Sequence, residues 1–195
     1  MVVFGPVERL HQGLPARRLT MTDDRRREEF IALRATIQQR GTARLVLLPI
    51  IFLGWAATAV ATAAVIAVAI STLLPLMVLA AGFEAIFALH VNVERIGRYL
   101  QVFHEESAGW EHVAMGYGRR FPGGVDPLFS RLFVIAVSVN FLPAALGGDV
   151  PELVVLAVLH LLFINRVRVA GRAAARMRVE DLERFRAIRD DALGT

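Results

Sequence analysis

Long uninterrupted apolar segments dominate the hydropathy pattern of this chain. The longest, Leu45 to Phe83, has 39 consecutive residues without a charged side chain. A transmembrane helix needs about 20 apolar residues, so this segment is long enough for two spans. The pattern predicts an all-α membrane protein with four transmembrane helices. The predicted spans are residues 44–70, 75–93, 128–146 and 151–169.

Turn signals divide the four spans into two pairs. Ser71–Pro75 interrupts the first long apolar segment, and Pro75 suits the first turn of the second helix. The sequence Gly147–Glu152 is a tight turn in which Asp149 caps the fourth helix. We therefore expect residues 44–170 to form two antiparallel hairpins.

Polar segments flank this transmembrane region. Residues 22–40 predict an amphipathic helix that ends at Gly41 and either lies on the membrane surface or packs on the spans. Residues 171–190 predict a basic helix. The connector 94–127 is expected to begin as a helical extension of the second span and to continue as a flexible, Gly-rich segment.

The first residues differ from the rest of the chain. Residues 1–21 contain Gly and Pro and no apolar segment long enough for a signal peptide. We expect a disordered extension there, and Met21 is an alternative natural start.

The distribution of Arg predicts the orientation. All 22 basic residues are Arg, and the formal net charge is +4. Nine Arg lie in Arg9–Arg44, five in Arg95–Arg131 and eight in Arg166–Arg189, whereas the two short turns contain none. By the positive-inside rule, both termini and the connector are cytoplasmic, in the inner (cytoplasmic) membrane. Topology therefore accounts for the Arg excess, and we expect no nucleic-acid partner.

The basic segments suggest contacts outside the spans. We expect anionic headgroups, other membrane-protein subunits or a second copy of the chain as partners. The candidate basic contacts are Arg26, Arg27, Arg119, Arg120, Arg172, Arg176 and Arg178. Alanines at helical spacing in the first span, such as Ala59 and Ala63, suit close helix packing.

Several polar side chains lie within the predicted spans. They are Glu84, His90, Asn92, Asn140 and His160. Glu84 lies roughly 14 Å along its helix, near the bilayer midplane. Two interpretations stay open: a helix-joining hydrogen bond, to Asn140 or His160, or a proton or cation site.

Metal and haem sites have weak support in the sequence. His90 and Glu94 are four residues apart, and His104 and His112 are further weak ligand candidates, yet no HExxH motif is present. His90 and His160 form the one intramembrane His pair, but their expected depths differ by roughly 9 Å. The chain has no Cys. We therefore expect neither a metal nor a cofactor.

No catalytic motif is present. The segment Gly116–Gly118 is part of either a phosphate-binding backbone nest or a flexible connector, and we favour the connector. The leading hypothesis is a non-enzymatic scaffold or accessory subunit of a membrane complex. One alternative is a small proton or cation transporter or channel subunit that uses Glu84. The other is a haem- or metal-binding membrane anchor that uses His90 and His160.

Overall fold

The computed structural model describes residues 23–65, 68–105, 109–121 and 126–194, apart from the side chain of Arg119. The predicted N-terminal extension, with the alternative start at Met21, lies outside this part of the chain.

The described residues form helices joined by short connections, without a strand. The five α-helices and one 3₁₀ turn are, in chain order, α1 (Asp23–Val65), the 3₁₀ turn Ala69–Thr72, α2 (Leu73–Phe103), α3 (Trp110–Arg120), α4 (Ser130–Gly147) and α5 (Val150–Leu193). Four of these helices, α1, α2, α4 and α5, are long and apolar enough to cross a membrane. The predicted all-helical class with four such helices is confirmed, and it suggests a multi-pass membrane protein.

Three phenylalanines form the centre of the core. The Phe83 ring lies between the rings of Phe133 and Phe163, with centroid distances of 5.2 and 5.9 Å and near-perpendicular planes. Edge-to-face packing of this kind adds to the stabilisation from apolar burial. These residues connect α2 to α4 and α5, while α1 packs along α2. In α1, only 11% of the most apolar segment is buried, so most of its apolar surface faces outward.

The predicted helix end at Gly41 is wrong. The helix α1 continues through Gly41 and Pro49 to Val65. One glycine inside a helix costs about 1 kcal/mol relative to alanine, whereas ending the helix there leaves backbone groups unpaired beside an apolar segment. Because Gln38, Gln39 and Arg40 are good helix formers, the continuous helix is the more stable arrangement.

The predicted flexible connector is also wrong in part. Trp110–Arg120 is the helix α3, and it includes Gly116 and Gly118. An extended backbone nest is therefore absent over these residues; residues 122–125 lie outside the described chain. The glycines have no heavy atom near their missing Cβ positions, so contacts do not require them.

The ends of α5 and of the 3₁₀ turn are linked. As predicted, Asp149 caps α5, since its carboxylate accepts a hydrogen bond from the Glu152 backbone N–H at 3.0 Å. The Glu152 carboxylate in turn accepts from the Ile70 backbone N–H at 2.6 Å. This bond connects the 3₁₀ turn before α2 to the first turn of α5.

Gly82 of α2 packs tightly against Ile51 of α1, and its replacement tests this packing. A Cβ atom at Gly82 would lie 2.7 Å from Cγ1 of Ile51. We expect Gly82→Ala to lower the free energy of unfolding by about 1–3 kcal/mol, as overpacking does. Denaturant titration in detergent, followed by circular dichroism, measures the change.

Gly54→Ala is the matched control, because its nearest contact, at 3.7 Å, is an ordinary one. It should leave stability unchanged or raise it slightly. Adding Ile51→Ala to Gly82→Ala removes the clash, so the cost of the two changes should be less than additive. Additive costs would contradict this packing.

Candidate functional site

Asn140 is the centre of a buried hydrogen-bonded group that we call the Asn140 cluster, consisting of Trp55, Thr72, Asn140 and His160. The Asn140 side-chain oxygen accepts from the Trp55 indole N–H at 3.1 Å. Its amide nitrogen donates to the Thr72 backbone carbonyl at 2.9 Å and to His160 Nε2 at 3.0 Å. The cluster therefore joins α1, the 3₁₀ turn, α4 and α5 through one side chain.

One neutral tautomer of His160 satisfies both of its ring nitrogens. Because Nε2 accepts from Asn140, the proton lies on Nδ1, which donates to the Leu156 backbone carbonyl at 2.7 Å. Neither nitrogen is left to bind an iron or another metal. His160 is thus a structural hydrogen-bonding residue in this arrangement.

Glu84 does not join the Asn140 cluster. Its carboxylate pairs with Arg166 of α5 at 2.7 Å, and half of its side chain is exposed. The Arg166 guanidinium also lies 4.6 Å from the Phe87 ring centroid, a cation–π contact. Glu84 faces away from the core because it follows Phe83, and successive residues of a helix point about 100° apart. The suggested hydrogen bond to Asn140 or His160 is therefore replaced by an ion pair.

His90 is buried and bonds with α1. The Arg44 guanidinium donates to His90 Nδ1 at 3.0 Å and to the Pro127 backbone carbonyl at 3.5 Å. The place of His90 near the end of the predicted second span suggests a solvated position, but His90 is only 5% exposed. Asn92 is half-buried.

Glu94 and Arg95 connect α2 to α5. Glu94 pairs with Arg178 at 2.6 Å, and Arg95 pairs with Asp181 at 3.0 Å. Glu94 and His90 therefore bind different partners rather than a shared ion. Among the described residues, no group of three or more His, Asp or Glu side chains is arranged to hold a metal.

A group of ion pairs that we call the Arg98 cluster consists of Arg34, Arg98, Glu105 and Glu111. Arg98 is only 4% exposed, and it donates to Glu111 at 3.2 Å and to the Gln101 side chain at 2.7 Å. Arg34 of α1 donates to Glu105 at 2.7 Å and to Glu111 at 2.9 Å. The alternating charges compensate each other, which buried ions require. The cluster holds α3 against α1 and α2.

Gly97 allows α3 to approach α2. A Cβ atom at Gly97 would lie 2.9 Å from the Glu111 carboxylate. Any larger residue would push this carboxylate away from Arg98, so the Arg98 cluster depends on this glycine.

Two further histidines, His104 and His112, lie beside the Arg98 cluster. His104 packs on the rings of Phe30 and Tyr99, and its Nε2 lies 3.7 Å from the Glu29 carboxylate. Burial lowers the pKa of His104, although Glu29 opposes that effect, so the imidazole is neutral at pH 7. His112 lies 3.8 Å from Glu105. Neither histidine is placed with His90 or Glu94 as a metal ligand.

The Arg residues predicted to contact lipid headgroups or partners differ in whether another residue of the chain already binds them. Arg26 donates to the Phe103 backbone carbonyl, and Arg178 is used by Glu94. The side chains of Arg27, Arg120, Arg172 and Arg176 are exposed. Arg119 belongs to α3, and its side chain lies outside the described part of the chain.

Sequence reasoning missed Trp55, Arg34 and Arg98. Arg98 had a local signal, because it lies four residues after Glu94 on the polar side of the α2 extension. The partners of Arg34 lie 71 and 77 residues away along the chain, so no local pattern indicates them. Trp55 resembles any apolar span residue until Asn140 is placed beside it.

Neutralising Glu111 tests the Arg98 cluster. Glu111→Gln leaves the buried Arg98 without its carboxylate, so we expect the free energy of unfolding to fall by on the order of 3 kcal/mol. Denaturant titration in detergent gives this value. The matched control is Glu180→Gln, which breaks an exposed pair with Arg184 and should cost less than about 1 kcal/mol. Equal losses in both variants would show that the cluster does not stabilise the fold.

No protein-family model, curated protein or solved structure gives a significant match to this chain. What the protein does must therefore follow from the chemistry of its own residues.

Proposed function

We propose that this protein is a non-enzymatic scaffold or accessory subunit of a complex in the inner (cytoplasmic) membrane. The observation that carries the proposal is the Arg98 cluster, which fixes helices beyond the apolar segments into one folded unit. A protein that only needs to cross the membrane has no use for such a unit. A rigid polar platform is what a partner needs to dock on.

The lengths of α1 and α5 support a platform outside the bilayer. The 43 residues of α1 extend about 65 Å at 1.5 Å per residue, whereas the hydrocarbon core is about 30 Å thick. The excess of α1 lies on its N-terminal side, and that of α5 lies on its C-terminal side. These two segments, with the end of α2 and with α3, form the proposed cytoplasmic platform.

The Arg distribution supports the orientation. Arg residues lie at the platform end of the helices, whereas the connections before α2 and before α5 contain none. By the positive-inside rule, this distribution supports cytoplasmic termini. The short links from α1 to α2 and from α4 to α5 support two antiparallel hairpins.

The contacts of the polar residues favour a scaffold over the alternatives. Glu84 is compensated by Arg166 on an exposed side of the bundle, which supports a structural role rather than a place on an ion path inside the chain. His160 uses both ring nitrogens, and His90 uses one for Arg44. A haem held by these two histidines would therefore displace the hydrogen bond of His160 to Asn140 and that of His90 to Arg44.

Size and flux measurements on one sample test the proposal. An accessory subunit extracted in mild detergent should elute as a stoichiometric complex larger than the 21.5 kDa chain, by light scattering. The double charge reversal Arg172→Glu/Arg176→Glu on the exposed platform surface should dissociate it. The control Arg184→Glu/Arg186→Glu, further along α5, should leave the complex intact.

The opposing outcome is equally measurable. A monomeric chain that carries protons or cations across reconstituted vesicles, with the flux lost in a folded Glu84→Gln variant, would replace the scaffold with a transporter. Gln keeps the size of Glu84 and removes its charge, so the loss of flux would belong to the carboxylate.

We also propose that α3 lies at the headgroup level of the inner leaflet. Its exposed apolar side chains fall on one side of the helix, with Trp110 68% and Tyr117 65% exposed beside Val113 and Phe121. Aromatic side chains concentrate at membrane–water interfaces, where an apolar ring meets a polar environment. At the end of α3, Arg120 is exposed and able to reach lipid phosphates.

The position of α3 along the bundle supports this depth. Its second residue, Glu111, contacts Arg98, five residues beyond the predicted end of the second span at Val93. Five residues of helix are about 7.5 Å. After α3 the chain returns to Arg44, which binds the Pro127 carbonyl. The helix α3 therefore begins within one headgroup layer of the apolar region.

Site-directed spin labelling tests this placement. Because the chain has no Cys, Tyr117→Cys gives a single labelling site. In vesicles, a label at residue 117 should collide more with oxygen, which partitions into lipid, than with a water-soluble nickel chelate. The control Ala187→Cys, exposed near the end of α5, should show the reverse preference. The same collision pattern at both positions would place α3 in water.

A further inference from the structure

A cavity of about 510 Å³ lies beside the Asn140 cluster, between α1, the 3₁₀ turn and α4. Its walls are small or apolar residues, including Ala59, Ala63, Val139 and Pro143. The lining residues that carry polar side-chain atoms are Trp55, Thr62, Ser71, Thr72 and Asn140. This volume falls in the range of about 300–1,000 Å³ that is typical of small-molecule sites.

The cavity exists because α1 and α4 are not packed along each other. The helix α1 packs on α2, and α4 packs on α5. The Trp55–Asn140 hydrogen bond and the Phe52–Phe133 ring contact connect α1 to α4. Beyond them, small side chains such as Ala59 and Ala63 leave a gap, although their spacing predicts close helix packing.

The lining excludes a charged ligand. No Arg, Asp, Glu or His side chain is among the described lining residues. An ion in this apolar cavity has no opposite charge to compensate the loss of hydration, which is costly. The ligand is therefore neutral and mostly apolar.

Hydrogen-bonding capacity selects the polar group of the ligand. The Trp55 N–H and both Asn140 amide hydrogens are already used inside the Asn140 cluster. The hydroxyls of Thr62 and Thr72 donate to the backbone carbonyls of Ala59 and Ala69. By contrast, the Asn140 oxygen accepts one bond of the two for which it has lone pairs, and both threonine hydroxyl oxygens keep accepting capacity. The Ser71 hydroxyl, also in the lining, has no hydrogen-bond partner among the described residues.

We propose that this cavity binds a neutral, membrane-soluble alcohol with a long apolar chain. Its hydroxyl donates to the Asn140 oxygen or to a threonine oxygen, while the chain lies against the alanines of α1. An alcohol can donate to Asn140 or a threonine and also accept from the Ser71 hydroxyl, whereas a ketone, quinone or ether can only accept. The proposal is independent of the scaffold function, since it rests on the cavity and the Asn140 cluster alone.

Photoaffinity labelling in lipid nanodiscs tests the site. The probe is a long-chain primary alcohol that carries a diazirine, and the matched probe is its methyl ether, which lacks the O–H donor. We expect saturable labelling of peptides from α1 or α4, with the ether binding about 2- to 10-fold more weakly, the worth of one hydrogen bond. Equal binding of both probes, or labelling that does not saturate, would overturn the proposal.

Variants of α1 locate the probe. Ala59→Phe fills the cavity and should abolish saturable labelling, whereas Ala57→Phe adds the same ring at an exposed position that does not line the cavity. Thermal unfolding of both variants confirms that each is folded. If Ala59→Phe does not fold, Val139→Phe on α4 replaces it as the filling variant. Full labelling in a folded filling variant would exclude this cavity.

A final pair of substitutions separates hydroxyl recognition from simple burial. Thr62→Val/Thr72→Val keeps the shape of both side chains and removes two acceptors. The preference for the alcohol over the ether should decrease in this variant if a threonine accepts the bond, and Asn140→Leu should remove it if Asn140 does. A preference unchanged in both folded variants would contradict the proposed hydrogen bond.

Discussion

A polar group without a partner in an apolar environment costs several kcal/mol, and the arrangement of this helix bundle follows from that cost. Asn140 uses its oxygen and both amide hydrogens to join four segments of the chain. Arg98 is buried because Glu111 and the Gln101 side chain accept hydrogen bonds from its guanidinium and compensate its desolvation. Glu84, which cannot reach either cluster, turns outward to Arg166.

The two clusters divide the bundle by chemistry. The Asn140 cluster is neutral throughout, so it orients helices without introducing a field into the apolar region. The Arg98 cluster alternates charges at the end where the Arg residues concentrate. A neutral amide network and a charged one have different costs of desolvation, and this difference explains why the charged one lies outside the apolar segments. The same division separates the proposed alcohol site from the proposed docking platform.

The sequence predicts the features of the fold that depend on local signals. The four apolar segments and the Asp149 cap follow from composition and spacing within a few residues. The continuity of α1 through Gly41 was not predicted, because the helix-forming residues on both sides override the weak local signal for a helix end. The helix α3 was missed because Glu111 acquires its role only when Arg34 and Arg98 are beside it. The partner of Glu84 depends on the rotation of α2 about its axis, which the packing of Phe83 determines.

Because α1 is one continuous helix, a movement at one end of it can be transmitted to the other end. Ile51 packs tightly against Gly82 of α2, and this contact would act as a fulcrum if α1 moved as a rigid body. Arg34 lies 17 residues to one side and Ala59 lies 8 residues to the other, so the two arms measure about 26 and 12 Å. A displacement of 2 Å at Arg34, imposed on the platform, would move Ala59 by about 1 Å in the opposite direction. Under such a rigid-body motion, a force at the charged surface near Arg34 would alter the width of the neutral cavity nearly 40 Å away.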